Sequence, residues 1–127
     1  MIGDKPTTLT FKPGAWSQAQ GNADRFNEGK AELSFLLIGS EVSACEAKVW
    51  AMGAKKYSRG NWQKGQLLST CMDSVLRHAA AIINGEMIDP ESGLPHVVHL
   101  ITASKIAAHS YLTKPELNDI TGNTDEQ

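Results

Sequence analysis

The sequence predicts an all-α fold, a helical bundle, and two stretches predict it most directly. Leu68, Cys71, Met72, Val75, Ala79, Ile82 and Ile83 keep a 3.6-residue period through four turns. A second apolar stretch opens on Leu94-Pro95, with proline in the first turn that helices favour, and runs to about Leu112. At 127 residues and 41% hydrophobic composition the chain fits one domain. Its formal net charge of −2 offers no broad attraction to a polyanion, so no nucleic-acid polymer is expected as a partner. No stretch approaches the roughly 18 to 20 apolar residues that span a bilayer, and the start lacks a basic and apolar leader. A soluble, cytoplasmic protein with no membrane partner is the expectation. Cys45 and Cys71 lack CxxC spacing and sit in apolar helical patterns, which predicts buried free thiols.

Taken in order, Met1 to about Asn27 is polar and rich in Gly, Pro, Thr and Gln, and reads as an arm. Phe11 and Trp16 suggest that it docks on the body or on another subunit. The run "AELSFLLIGSE", ended by Gly39, suits either an extended segment or one helical turn. Ser40 offers an N-cap for a first helix and Gly53 a stop. In that helix Val42, Cys45, Val49 and Trp50 share one side, and Glu46 falls among them. Glu46 is either the end of a capping box begun at Ser43 or a functional inward carboxylate.

"GAKKYSRGNWQKG" carries Lys55, Lys56, Arg59 and Lys64 with Tyr57 and Trp62 between them. It reads either as a solvated basic connection or as a grip in which cations neutralise phosphates and an aromatic face stacks on a base. The second helix spans about Gln66 to Asn84, with His78 on the flank of its apolar stripe and Arg77 nearly opposite. Glu86, if the helix reaches that far, falls at the centre of the stripe. The third helix has Val97, Ile101, Ser104, Ala108 and Tyr111 as its inner stripe, with His96 and His99 beside it as i,i+3 neighbours. Lys114-Pro115 ends it, and a polar, acidic tail follows.

Glu86, Asp89 and Glu91 cluster where one helix hands over to the next. Oxygen donors so arranged suit Mg²⁺ or Mn²⁺, although Asp and Glu also favour turns and helix starts for structural reasons. The placing of Glu86 on an apolar stripe and the histidines on either side favour a site. A carboxylate-held cation with basic and aromatic residues nearby is a kit for nucleotide polyphosphates, and no Walker A loop is present.

The segments "RFNEGKAELSFLL", "GAKKYSRGNWQKG" and "RHAAAIINGEMIDPESGLPHVVH", in this order, resemble the phage-associated dATP/dGTP diphosphohydrolase family, a MazZ-like branch of the all-α MazG-type nucleotide pyrophosphohydrolases. The resemblance covers about residues 24 to 112. It implies a MazG-like domain over 24–113, flanked by an arm at 1–23 and a tail at 114–127, and assembled as a dimer or tetramer. The implied reaction is metal-dependent hydrolysis of purine (deoxy)nucleoside triphosphates, dGTP, dATP or GTP, to monophosphate and pyrophosphate, with a role in the nucleotide pool of an infected cell. Carried onto this chain, Glu86, Asp89, Glu91 and His96 become metal ligands or water-orienting groups, with His78 and His99 as further members. Lys55, Lys56 and Arg77 become phosphate contacts; Tyr57, Asn61 and Trp62 become nucleoside contacts. The "EExxE" helix signature of the wider MazG group is absent, and Cys45 stands where the family often has its helix-one acid, so Glu46, one residue off, is the remaining candidate ligand from that helix. The alternative is a nucleotide-binding or host-interaction protein on the same fold that lacks turnover.

Overall fold

The computed structural model describes residues 28–37 and 39–121, so the expected arm, with Phe11 and Trp16, and the last six residues of the tail lie outside the described residues. The described residues form three α-helices, α1 (Ser40–Lys56), α2 (Leu68–Ile83) and α3 (His96–Thr113), and the fold is all-α. Ahead of them the apolar run settles as a 3-10 turn, Leu33–Leu37.

Both expected boundaries of α1 shift. Gly39, not Ser40, occupies the N-cap position, in a left-handed conformation (φ 77°) that glycine adopts without steric strain; its carbonyl accepts from the N–H of Val42 at 2.9 Å. Gly53 does not stop the helix. The chain stays helical through Lys56, where the N–H of Tyr57 donates to the Gly53 carbonyl. Lys55 and Lys56 thus sit in the last turn, where the helix dipole favours cations. The capping box does not form either: the Ser43 hydroxyl donates back to the Leu36 carbonyl at 3.4 Å.

The start of α2 is capped from far along the chain, because the N–H of Ser69 donates to Asp119 Oδ1 at 3.0 Å and the Ser69 hydroxyl donates to Oδ2. These two hydrogen bonds hold the Asp119 carboxyl below its ordinary pKa. Residues 114–121 are therefore tied to the body, and within them Pro115–Leu117 forms a 3-10 turn. Lys114 and Leu117 lie so close to Gly65 (φ 99°) that a Cβ there would come within 2.7 Å of both.

At its other end α2 stops at Ile83, short of Glu86. The N–H of Glu86 donates to the Ala81 carbonyl at 2.8 Å and that of Gly85 to Ile82 at 2.9 Å, a Schellman ending with glycine at φ 92°. The chain then folds into a minimal antiparallel bridge, Ile88 against Pro95. The N–H of Asp89 donates to the Leu94 carbonyl and that of His96 to Met87, both at 2.9 Å.

Packing turns α3 away from the expected face. Its buried residues are His96, Val98, His99, Thr102, Ala103, Ala107 and Ser110, while Val97 and Tyr111 are more than half exposed. Apolar residues ring most of this helix, so periodicity left its phase open, and inward hydrogen bonds set it. Ser110, for example, accepts from the N–H of Gln66 at 3.3 Å. Cys45, Val49, Leu94 and Val98 form the apolar cluster where α1 meets the α2–α3 turn and α3. Cys45 and Cys71 are buried free thiols, pushed up in pKa chiefly by burial. The stripe of α2 is covered only in part: Cys71 is buried, while Ile83 is 83% exposed. No helix among the described residues is long and apolar enough to cross a membrane.

Because a Cβ on Gly85 would meet nothing within 4 Å, its substitution is penalised by conformation alone. Gly85→Ala is expected to lower unfolding free energy by about 1–2 kcal/mol, measured by urea titration; an unchanged midpoint would show that the left-handed ending is not maintained in solution.

Candidate active site

The α2–α3 turn, the C-terminal half of α1 and the inner face of α3 enclose a cleft of about 790 Å³. Glu86, Asp89, Glu91, His78, His96 and His99 line it; so do Lys56, Arg59 and Arg77, and Trp50, Tyr57, Asn61 and Trp62. The expected residues therefore meet, with two exceptions. Lys55 is exposed and does not line the cleft. Glu46 is buried outside it, its Oε2 accepting from Lys105 Nζ at 2.7 Å and from Trp50 Nε1 at 2.9 Å.

The histidines form a layered cluster. His78 stacks flat on His99, with ring centroids 4.8 Å apart and planes 8° from parallel. His78 Nδ1 lies 2.8 Å from His96 Nδ1, and His96 Nε2 lies 2.8 Å from Glu86 Oε1. When His96 donates to the carboxylate from Nε2 and accepts at Nδ1, His78 must donate from Nδ1, which leaves a lone pair on its Nε2. Burial first, then the neighbouring imidazoles, lowers the pKa of His78 below the ordinary 6.5. Burial likewise lowers His99, against the pull of Asp89. Both shifts favour the neutral rings, and His99 Nε2 approaches Asp89 Oδ2 at 3.4 Å.

Asp89 is bound into its turn. Oδ1 accepts from the N–H of Glu91 at 3.4 Å and Oδ2 from that of Ser92 at 3.2 Å. Burial alone would raise this carboxyl, but the Ser92 side chain first, then these N–H groups and His99, hold it below its ordinary value. Glu86 differs from the sequence expectation: it lies beyond the helix, and its side chain is 54% exposed. The argument from burial on an apolar stripe therefore does not apply to it. Glu91 is more open still, with Lys56 Nζ 3.5 Å away.

Sequence reasoning missed Ser92 and Trp50. Ser92 Oγ lies 2.7 Å from His99 Nε2 and accepts from the N–H of Leu94 at 3.1 Å, fixing His99 against the turn. Its signal was the Asp-x-x-Ser spacing in "DPES", typical of a side-chain-capped turn. Trp50 packs on Trp62 (centroids 5.0 Å apart), and Trp62 meets His109 edge-on at 4.8 Å. Its signal was the i,i+4 spacing from Glu46.

Among the described residues no three His, Cys, Asp or Glu side chains converge as a ready-made metal cage. Mg²⁺, however, is commonly held by one or two carboxylates together with substrate phosphates. The exposed carboxylates of Glu86 and Glu91 on the cleft wall are donors of that kind, so the residues fit a cation that arrives with its substrate.

Fold and cleft together define a small all-α protein whose acidic and histidine-rich cleft also bears cations and aromatic rings. Residues 20–120 match the family model described as dATP/dGTP diphosphohydrolase, N-terminal, and the chain belongs to that family. It is also 39% identical over 75 residues to a dATP/dGTP diphosphohydrolase of Salmonella phage PMBT28, an alignment that covers 59% of this chain and 25% of that protein. The chain thus spans about a quarter of the length of that curated relative. No solved structure matches it.

Lowered histidine pKa values make stability depend on pH. The unfolded chain takes up protons at the ordinary histidine pKa, before the buried rings do, so stability is retained above about pH 6.5 and falls as pH drops from there through the folded values. In chelator-treated buffer the urea midpoint is expected to fall between about pH 7 and pH 5, and to fall less in His78→Leu. Equal slopes for the two proteins would contradict the neutral cluster.

Proposed function

We propose that this chain binds purine deoxynucleoside triphosphates in the cleft and hydrolyses them to the monophosphate and pyrophosphate, with dGTP and dATP as substrates and GTP as a further candidate. The observation that carries the reading is the convergence on one cleft of carboxylates, histidines, cations and tryptophans, in a chain of a family described by this activity. The triphosphate lies toward Lys56, Arg59 and Arg77, which neutralise its charge, and the base lies toward Trp62, Trp50 and Asn61. Glu86 and Glu91 would hold Mg²⁺ or Mn²⁺, which would further neutralise the phosphate oxygens. His78 Nε2 takes a proton from water as the water oxygen bonds to the α-phosphorus. The bond from that phosphorus to the bridging oxygen breaks, and pyrophosphate leaves. His96 and Glu86 orient His78, while Ser92 and Asp89 orient His99.

The same reading places the reaction in the nucleotide pool of a phage-infected cell and in a homo-oligomer, dimer or tetramer. The exposed apolar side chains of α2, Leu76 and Ile83, support self-association. The departure at helix one, where Glu46 is engaged by Lys105 and Trp50, favours one second reading, dNTP binding without turnover. Calorimetric binding of dGTP with no product after prolonged incubation with Mn²⁺ would select it.

With dGTP or dATP and Mg²⁺ or Mn²⁺, chromatography is expected to show dGMP or dAMP and pyrophosphate in equal amounts. Glu86→Gln should lower kcat by at least about 100-fold. Release of orthophosphate in place of pyrophosphate, or an unchanged rate in Glu86→Gln, would contradict the mechanism.

A further inference from the structure

Glu46 is the helix-one candidate ligand, one residue off the position where the family often has its acid, but its surroundings are those of a tether. Its side chain is 12% exposed, and one oxygen, Oε2, accepts from both Lys105 Nζ of α3 and the indole Nε1–H of Trp50. Both partners are donors, so the charge is balanced by Lys105 and the indole dipole is satisfied. A cation on Oε2 would have to displace Lys105 from its 2.7 Å contact. Downstream of the tether, Trp50 packs on Trp62, and both rings line the cleft that Glu46 itself does not reach. The path from carboxylate to cleft therefore runs through the Trp50 ring.

Building on the proposed function, we infer that Glu46 is a positioning residue for the nucleobase: it fixes the indole of Trp50 against Trp62, so that the two rings stand as a preformed wall for purine stacking. Without the carboxylate the Trp50 N–H loses its partner and the ring its fixed rotation, so stacking must order the wall at the moment of binding. The triphosphate end, held by other side chains, is unaffected. The tether thus acts on affinity for the base and leaves the phosphate chemistry alone.

The test compares wild type, Glu46→Ala and Glu46→Gln in the full chain, with dGTP as substrate, inorganic tripolyphosphate as a base-free inhibitor and Mn²⁺ titrated separately. Glu46→Ala should raise KM for dGTP roughly tenfold, with kcat within about threefold and tripolyphosphate inhibition unchanged. Glu46→Gln, which keeps a carbonyl acceptor for the indole, should recover most of the KM. Half-saturating Mn²⁺ should be the same in all three. If Glu46→Ala does not fold, Trp50→Phe cuts the same link and should show the same KM rise with tripolyphosphate inhibition unmoved. Loss of turnover in Glu46→Gln together with a raised Mn²⁺ requirement would make Glu46 a ligand and overturn the inference. Wild-type kinetics in the alanine variant, or in Trp50→Phe where that variant is used, would overturn it equally. Those results leave the proposed function standing, whereas a wild-type chain that neither binds nor hydrolyses dGTP overturns both, since no base is then positioned.

Discussion

The structure depends on how α2 is stopped. The left-handed Gly85 turns the chain out of the helix one residue before Glu86, and the Ile88–Pro95 bridge returns it so that His96 opens α3 directly beneath. Without that tight reversal, Glu86 and Asp89 would not face His96 and His99, whose contacts to them are 2.8 Å and 3.4 Å. Proline at position 95 fixes φ near −62° at the entry to α3, and Ser92 and Asp89 satisfy the backbone N–H groups that the turn leaves over. A short loop thereby converts a linear run of acids and histidines into facing walls.

The consequence for packing is an α3 whose inner face is polar. A helix with so many apolar residues could bury several alternative stripes, and the one it buries contains His96, His99, Thr102 and Ser110. Each of these has a hydrogen-bond partner, as buried polar groups require. The compensation is visible outside, where Val97, Tyr111 and Leu112 remain exposed. Stability is given up on this face in order to place His96 and His99, the latter lowered in pKa by burial, beside Asp89 and the exposed Glu86.

The helical class, the three helices and the buried cysteines were legible because a 3.6 period and Gly or Pro punctuation are local signals. The members of the cleft were largely legible through the compound signature of the resemblance. What could not be read was anything set by tertiary contact. The phase of α3 follows from hydrogen bonds across the fold, and the cap of α2 comes from Asp119, fifty residues along the chain. Gly53 looked like a stop, yet the helix continues through it; a glycine lowers helix propensity by only about 1 kcal/mol, which neighbouring packing overrides. Glu46 was legible as an inward carboxylate and not as a tether, because Lys105 lies on a different helix.

The central claim is that acids, histidines and tryptophans serve one ligand in one cleft. Two-dimensional NMR of the histidine rings and tryptophan indole N–H groups, during titration with a dGTP analogue that cannot be cleaved and with Mg²⁺, tests it most directly. The account predicts that the signals of His78 and His99 and those of Trp50 and Trp62 shift together along one saturation curve. Shifts confined to the histidines, or to the tryptophans, would show that the two ends do not share a ligand and would contradict it.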